Sequence, residues 1–133
     1  MKIGIVGSRD YTNKLRIKEF VFGLKNKFGE RVEIVSGGQK EGADGYAKKF
    51  ALEFDMKYSE FPPSHYQYNQ HCVRPQREYG KQYATWHYHR RNKQIAEYSD
   101  KIVAFIPKDK ISKGTMSTIK EAQKIGKKVV IIN

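Results

Sequence analysis

The sequence predicts an open, doubly wound α/β fold, a mostly parallel sheet with helices on both faces, and three observations carry that expectation. Four short apolar runs, Ile3 to Val6, Val32 to Val35, Ile102 to Ile106 and Val129 to Ile132, punctuate the chain. Stripes of apolar residues at helical period lie between them, and a glycine-rich turn follows each of the first two runs. Strands that alternate with helices favour parallel pairing through right-handed crossovers, with ligands held beyond the carboxyl ends of the strands.

The apolar runs have strand length, and three are rich in β-branched residues suited to burial on both faces, so they read as central strands. After the first, Ile17, Phe20 or Val21, Leu24 and Phe28 form a helical stripe that Gly29 stops; if the turn before it merely joins strand to helix, Asp10 or Thr12 is its cap. After the second, Ala43, Ala47, Phe50, Ala51 and Phe54 form another stripe, whose small alanines permit close packing on a sheet. Lys57 to Phe61 reads as a further short strand, Thr85 to Tyr98 as a third helix, and Thr115, Ile119, Ala122 and Gly126 as the buried face of a fourth. At 133 residues the chain is expected to form one domain spanning residues 1–133.

One stretch departs from this alternation. Residues 62–86, and the helix start that follows them to Lys93, hold all four histidines, six aromatic residues and six Lys or Arg against one Glu. Aromatic side chains interleaved with arginine suit a lid over a cleft, a contact between copies of the chain, or a surface for single-stranded nucleic acid. Residue types alone leave the three open, and a homo-oligomer is among the expectations.

Twenty-six Lys and Arg against fourteen Asp and Glu give a formal charge of +12, which favours phosphorylated or polyanionic partners. The single cysteine, Cys72, forms no disulfide framework and suits a reducing compartment. No apolar run approaches the ~20 residues of a membrane-spanning helix, and Met1 leads into Lys2 to Val6 without the apolar core of a signal peptide. A cytoplasmic protein is expected.

The two glycine turns, Gly7-Ser8-Arg9 and Ser36-Gly37-Gly38 with Gly42-Ala43-Asp44, supply the chemistry. Glycine lets backbone approach a ligand closely, and the free N–H groups of a helix start attract anions, so a nucleotide phosphate is the expected guest. Asp44 suits a ribose hydroxyl, by analogy with the acidic residue of dinucleotide sites. Arg91-Asn92 and Gly114-Thr115 complete the candidate set, with Arg91 offering a rigid fork for phosphate and Thr115 a cap or a hydroxyl donor. His71-Cys72 and His87-x-His89 lack the regular spacing of a zinc site, so no metal and no required cofactor are expected.

Together these motifs resemble the SLOG superfamily, especially its small YspA-like, YpsA-related branch. The resemblance runs the length of the chain, is dense at both glycine turns and at Arg91-Asn92, and implies a Rossmann-like fold that binds nucleotides or nucleotide-derived ligands for sensing, sequestering or processing. Relatives include the LOG phosphoribohydrolases, which cleave the N-glycosidic bond of nucleoside monophosphates, and DprA, which binds single-stranded DNA. Against the LOG pattern Arg91 matches the catalytic arginine, but Asn92 replaces a lysine and Thr118 stands where a glutamate is expected. Glu121, one helical turn further on, is the substitute carboxylate that an enzyme would need.

Overall fold

The computed structural model describes residues 1–110 and 112–133; Ile111, within the altered motif between Pro107 and Gly114, lies outside the described residues. Five parallel strands, β1 (Lys2–Gly7), β2 (Glu33–Ser36), β3 (Lys57–Glu60), β4 (Lys101–Phe105) and β5 (Lys128–Ile132), form one sheet in the order β3-β2-β1-β4-β5. The order reverses between β1 and β4, whose register runs from Ile3 opposite Lys101 to Gly7 opposite Phe105. Neighbouring loops diverge at such a switch point and leave a crevice at the carboxyl edge.

Side chains alternate across the pleat and so divide the core into two layers. Ile3 and Ile5 of β1 pack with Ile17 and Val21 of helix α1 (Lys14–Phe28) and with Ala47, Phe50 and Ala51 of helix α2 (Gly42–Glu53). On the opposite face Val6, Val35 and Ala104 meet Ile95 and Ala96 of helix α3 (Trp86–Tyr98) and Ile119 and Ala122 of helix α4 (Lys113–Lys124). Helices therefore cover both faces, and the doubly wound prediction is correct in strand count, strand direction and helix placement.

Three local expectations change. The run Val129 to Ile132 belongs to β5, which is an edge strand, not a central one; its residues are at best half-buried and Ile131 is 56% exposed. Its β-branched composition resembles that of a central strand because both faces still receive partial cover, Val130 and Ile132 from one layer and Val129 from the other. Helix α1 is capped by Asn13, whose side chain accepts from the Arg16 amide at 3.2 Å, and not by Asp10 or Thr12. Tyr11 explains the delay: its ring enters the core edge-on to Phe105 at 5.5 Å, so the chain makes an extra turn before the helix starts. Gly126 lies beyond the end of α4.

The 62–86 segment folds back along the sheet edge. Beyond the end of β3 the Glu60 amide donates to the His71 carbonyl at 2.9 Å and the Val73 amide to the Glu60 carbonyl at 3.2 Å. His65 sits among the rings of Tyr66, Tyr83, His87 and Tyr88, with centroids 4.8–5.6 Å away. Burial lowers the His65 pKa, and the nearby His87 and Arg91 charges act in the same direction. An apolar and aromatic packing unit of this kind holds a long segment without regular secondary structure.

Phe105 lies in the first of these layers at the end of β4, fully buried with Tyr11 and Phe20 edge-on to its ring. Phe105→Ala is expected to cost about 3–5 kcal/mol in chemical denaturation, whereas Ile131→Ala on the exposed edge changes stability by no more than about 0.5 kcal/mol.

Candidate functional site

A cleft of about 640 Å³ opens at the carboxyl edge of the sheet above the switch point. Gly7, Ser8 and Arg9 from the end of β1, Asp44 from α2, Arg91 and Asn92 from α3, and Gly114 and Thr115 from α4 all line it. Eight of the candidate residues, drawn from four separate stretches of sequence, thus come together around one space.

Arg91 and Asn92 organise the floor. Both are buried, at 7% and 5% exposed. The Arg91 guanidinium donates from Nη1 to the Gly37 carbonyl at 2.7 Å and to the Phe61 carbonyl at 3.5 Å, and from Nε to Asn92 Oδ1 at 3.0 Å. Asn92 in turn donates from Nδ2 to the Gly114 carbonyl at 3.3 Å. Two adjacent side chains on one helix therefore hold the β2 turn, the end of β3 and the start of α4 in fixed relation.

The second glycine turn does not have the form expected of it. A Cβ on Gly37 would collide with Arg91 Nη1 and with Asp44 Oδ2, so the arginine and the carboxylate flank this residue on the inside of the turn. The backbone amides of Gln39 and Gly37 lie near the Asp44 carboxylate and favour its charged form. The carboxylate occupies the concavity in which an external phosphate was expected. Burial pushes the Asp44 pKa up to about 6, against the opposing attraction of Arg91 and those amides. Burial likewise lowers the Arg91 pKa, with Asp44 opposing.

The N-terminus of α2 is also occupied from within. The Ala43 amide donates to the Ser8 carbonyl at 3.3 Å, and Gly42, at φ 67°, lies so close to the Ser8-Arg9 backbone that any side chain would clash. Gly42, Ala43 and Gly37 thus join the two turns to each other beneath the cleft and do not line it. Ser36 is fully buried, with its hydroxyl bonded to the Tyr58 hydroxyl at 2.6 Å and accepting from the Gly38 amide, so it has no face toward a ligand in this cleft. Gly38 lines a neighbouring cavity.

The helix start that does open into the cleft belongs to α4. Ser112 caps it, accepting from the Thr115 amide at 3.1 Å, and the Thr115 hydroxyl pairs with Ser112 Oγ at 2.6 Å. The cap expected at Thr115 is therefore one residue outside the helix, at Ser112. The first N–H groups of a helix, here those of Lys113 and Gly114, have no carbonyl four residues back within the helix and point out of its end. Lys113 adds a positive charge at the same place.

The carboxylate proposed for catalysis is elsewhere. Glu121 lines a separate surface depression with Met116 and Lys120 and pairs with Lys124 at 3.4 Å. Thr118, at the position of the missing glutamate, does line the cleft, but its hydroxyl is turned back to the Gly114 carbonyl at 3.2 Å. Residue spacing of one helical turn implied a shared face, yet each three-residue step falls short of a full turn, so Glu121, two such steps beyond Thr115, lies about 120° round the helix from it and off the cleft that Thr115 and Thr118 line.

Tyr83 and Tyr88, from the aromatic stretch offered as a lid or stacking surface, also line the cleft, whereas Gln39 and Lys113 in the lining and the buried acid Glu60 beside it were not among the candidates. Ser112-Lys113-Gly114 carried a capping signal, a small polar residue before a helical stripe. Little in the local sequence marks Glu60: Tyr58 lies two residues back on the same face of β3, but Lys48 and Asn69 meet it only through the fold. Among the described residues no three His, Cys, Asp or Glu side chains converge as metal ligands, and no helix is long and apolar enough to cross a membrane.

Comparison with known proteins places this geometry. The model of the circularly permutated YpsA SLOG family matches residues 34–133, three quarters of the chain, including Arg91-Asn92 and the start of α4. The chain belongs to this SLOG family. No curated protein matches it in sequence. Among solved structures it is similar to the molybdenum cofactor binding protein of Rippkaea orientalis, at TM-score 0.73 and 20% identity over 98% of this chain and 74% of that one. It is similar to DNA processing protein A of Helicobacter pylori, described as binding single-stranded DNA, at TM-score 0.74 and 24% identity over 100% of this chain and 65% of that one. The molybdenum cofactor carrier protein of Chlamydomonas reinhardtii gives TM-score 0.67 and 21% identity over 98% of this chain and 74% of that one. At these identities the SLOG member shares the fold with all three.

Asp44 gives the site a pH signature. Its pKa is about 6 in the folded protein against an ordinary value of 3.8, so the folded state binds the extra proton between those values. The associated stability is complete below about pH 4 and is lost as pH rises through about 6. Relative to Asp44→Asn, the wild-type chain is expected to gain stability as pH falls from 6 to 4 in denaturant titrations; a constant difference between the two would contradict the assignment.

Proposed function

We propose that this SLOG protein binds a nucleotide or nucleotide-derived small molecule in the strand-edge cleft, in a sensing or sequestering role. The observation that carries the reading is the convergence of Arg9, Arg91, Lys113 and the α4 helix start on one cleft at the switch point. Three cations and a helix N-terminus attract phosphate, and their charge exceeds that of Asp10 and Asp44, the two acids of the lining. The Tyr83 and Tyr88 rings in the lining suit the face of a base, and the Ser8 and Thr115 hydroxyls suit sugar or phosphate oxygens.

An N-glycosidic hydrolase needs a carboxylate or equivalent at the breaking bond. Glu121 faces away, Thr118 is neutral, the Asp44 carboxylate is buried in the floor and Asp10 is exposed to solvent, so binding without turnover is the better reading. A second reading has its own observation. Trp86 and Tyr83 are 56% and 64% exposed beside Arg77, Lys81 and Arg90 on a cavity that shares Tyr83 with the cleft, a surface suited to stacked bases and a phosphate chain.

Native mass spectrometry of gently purified protein, followed by denaturing release, tests the proposal. A nucleotide-type mass is expected with the wild-type chain and is expected to fall about tenfold or more in occupancy in Arg9→Ala and Lys113→Ala. Ligand-free protein that binds single-stranded oligonucleotides with a steep loss in salt would put the second reading first. The same spectrum reads whether the chain self-associates, the homo-oligomer of the sequence reading.

A further inference from the structure

A second cavity of about 630 Å³ lies beside the cleft, over the carboxyl ends of β2 and β3. The two share one wall, Arg9 and Gln39, which line both and are joined by a hydrogen bond from Arg9 Nε to Gln39 Oε1 at 3.1 Å. Arg9 is exposed, and its charge therefore stands at the crest between two spaces of nearly equal volume.

The second cavity is built. Its floor is Glu60, 1% exposed, with one carboxylate oxygen held by the Tyr58 hydroxyl at 2.9 Å and Lys48 Nζ at 3.0 Å, and the other by Asn69 Nδ2 at 2.7 Å. A carboxylate so enclosed has its charge compensated and its orientation fixed, so it supports the cavity floor without repelling an anion at Arg9. The walls are Tyr66 and Tyr68 from the 62–86 segment, and Lys40 stands at the rim. Aromatic walls, a side-chain amide from Gln67 and the Lys40 ammonium with Glu41 beside it repeat the chemistry of the first cleft, where Tyr83, Tyr88, Lys113 and Asp10 play the corresponding parts.

From this pair of cavities we infer that the ligand has two nucleoside halves joined by a phosphate bridge, with one half in each cavity and the bridge across Arg9. The inference rests on the nucleotide reading of the first cleft and names the class of molecule that fills both. A pocket of a few hundred Å³ takes one nucleoside-sized body, so a mononucleotide leaves one of the two spaces unfilled. Joining the halves makes the second contact intramolecular and adds its contribution at high effective concentration. Exposed Tyr68 is the side chain whose loss separates the two sites with least disturbance to the fold.

Isothermal titration calorimetry of the full chain with AMP and with diadenosine diphosphate tests this. Diadenosine diphosphate is expected to bind at least about tenfold more tightly than AMP. Tyr68→Ala, and independently Lys40→Glu, are expected to remove most of that advantage while leaving AMP affinity unchanged. Equal affinity for the two ligands in the wild-type chain, or an advantage that survives both substitutions, overturns the inference, as does a loss shared equally by both ligands. Binding of AMP without binding of diadenosine diphosphate overturns this inference alone, whereas failure of both ligands to bind overturns the nucleotide reading and this inference with it.

Discussion

The Arg91 guanidinium, buried in the floor of the cleft and bonded to the Gly37 and Phe61 carbonyls, is the constraint on which the site depends. A charged group away from water must be compensated, and removing one member of a buried set leaves the others unpaired at a cost of about 3–5 kcal/mol. Here compensation comes from two carbonyls, from Asn92 and from the Asp44 carboxylate across Gly37. Desolvation nevertheless outweighs the attraction on both sides, since the pKa of Asp44 rises and that of Arg91 falls. The arrangement is held by its place in the fold more than by its own electrostatics.

That constraint determines which helix start is available to a ligand. Because Asp44 fills the concavity after β2 and the Ser8 carbonyl takes the Ala43 amide, the α2 terminus is used internally. The α4 terminus is held open by Asn92, which grips the Gly114 carbonyl while Ser112 caps the helix. The helix start that opens into the cleft therefore lies on the β4 side of the switch point and not on the β2 side. The glycines of the second turn remain indispensable for a different reason, the close passage of two backbones and of Arg91.

Much of this architecture was legible in the chain. Alternating strand and helix patterns placed all five strands, because parallel sheets demand apolar runs and their crossover helices demand a 3.6-residue stripe. The same patterns named most of the residues that meet at the cleft, since glycine turns and helix starts gather at the carboxyl edge whatever the ligand. Local pattern could not show that Asp44 would turn inward, that Ser36 would pair with Tyr58, or that Glu121 would face away from Thr118, for each depends on contacts distant in sequence. The edge position of β5 was hidden for a related reason, its β-branched run being half-covered on each face.

The 62–86 segment, opaque as sequence, supplies the aromatic walls of both cavities through Tyr66, Tyr68 and Tyr83 and is tied to the end of β3 by backbone hydrogen bonds. The most direct test of the account is the backbone amide NMR spectrum during titration with AMP. Resonances of Arg9, Lys113, Gly114 and Thr115 are expected to move, while those of Gly37, Gly42 and Ala43, enclosed beneath the cleft, stay nearly still. Large shifts at Gly37, Gly42 and Ala43 with none at the start of α4 would contradict it, placing the phosphate where Asp44 lies.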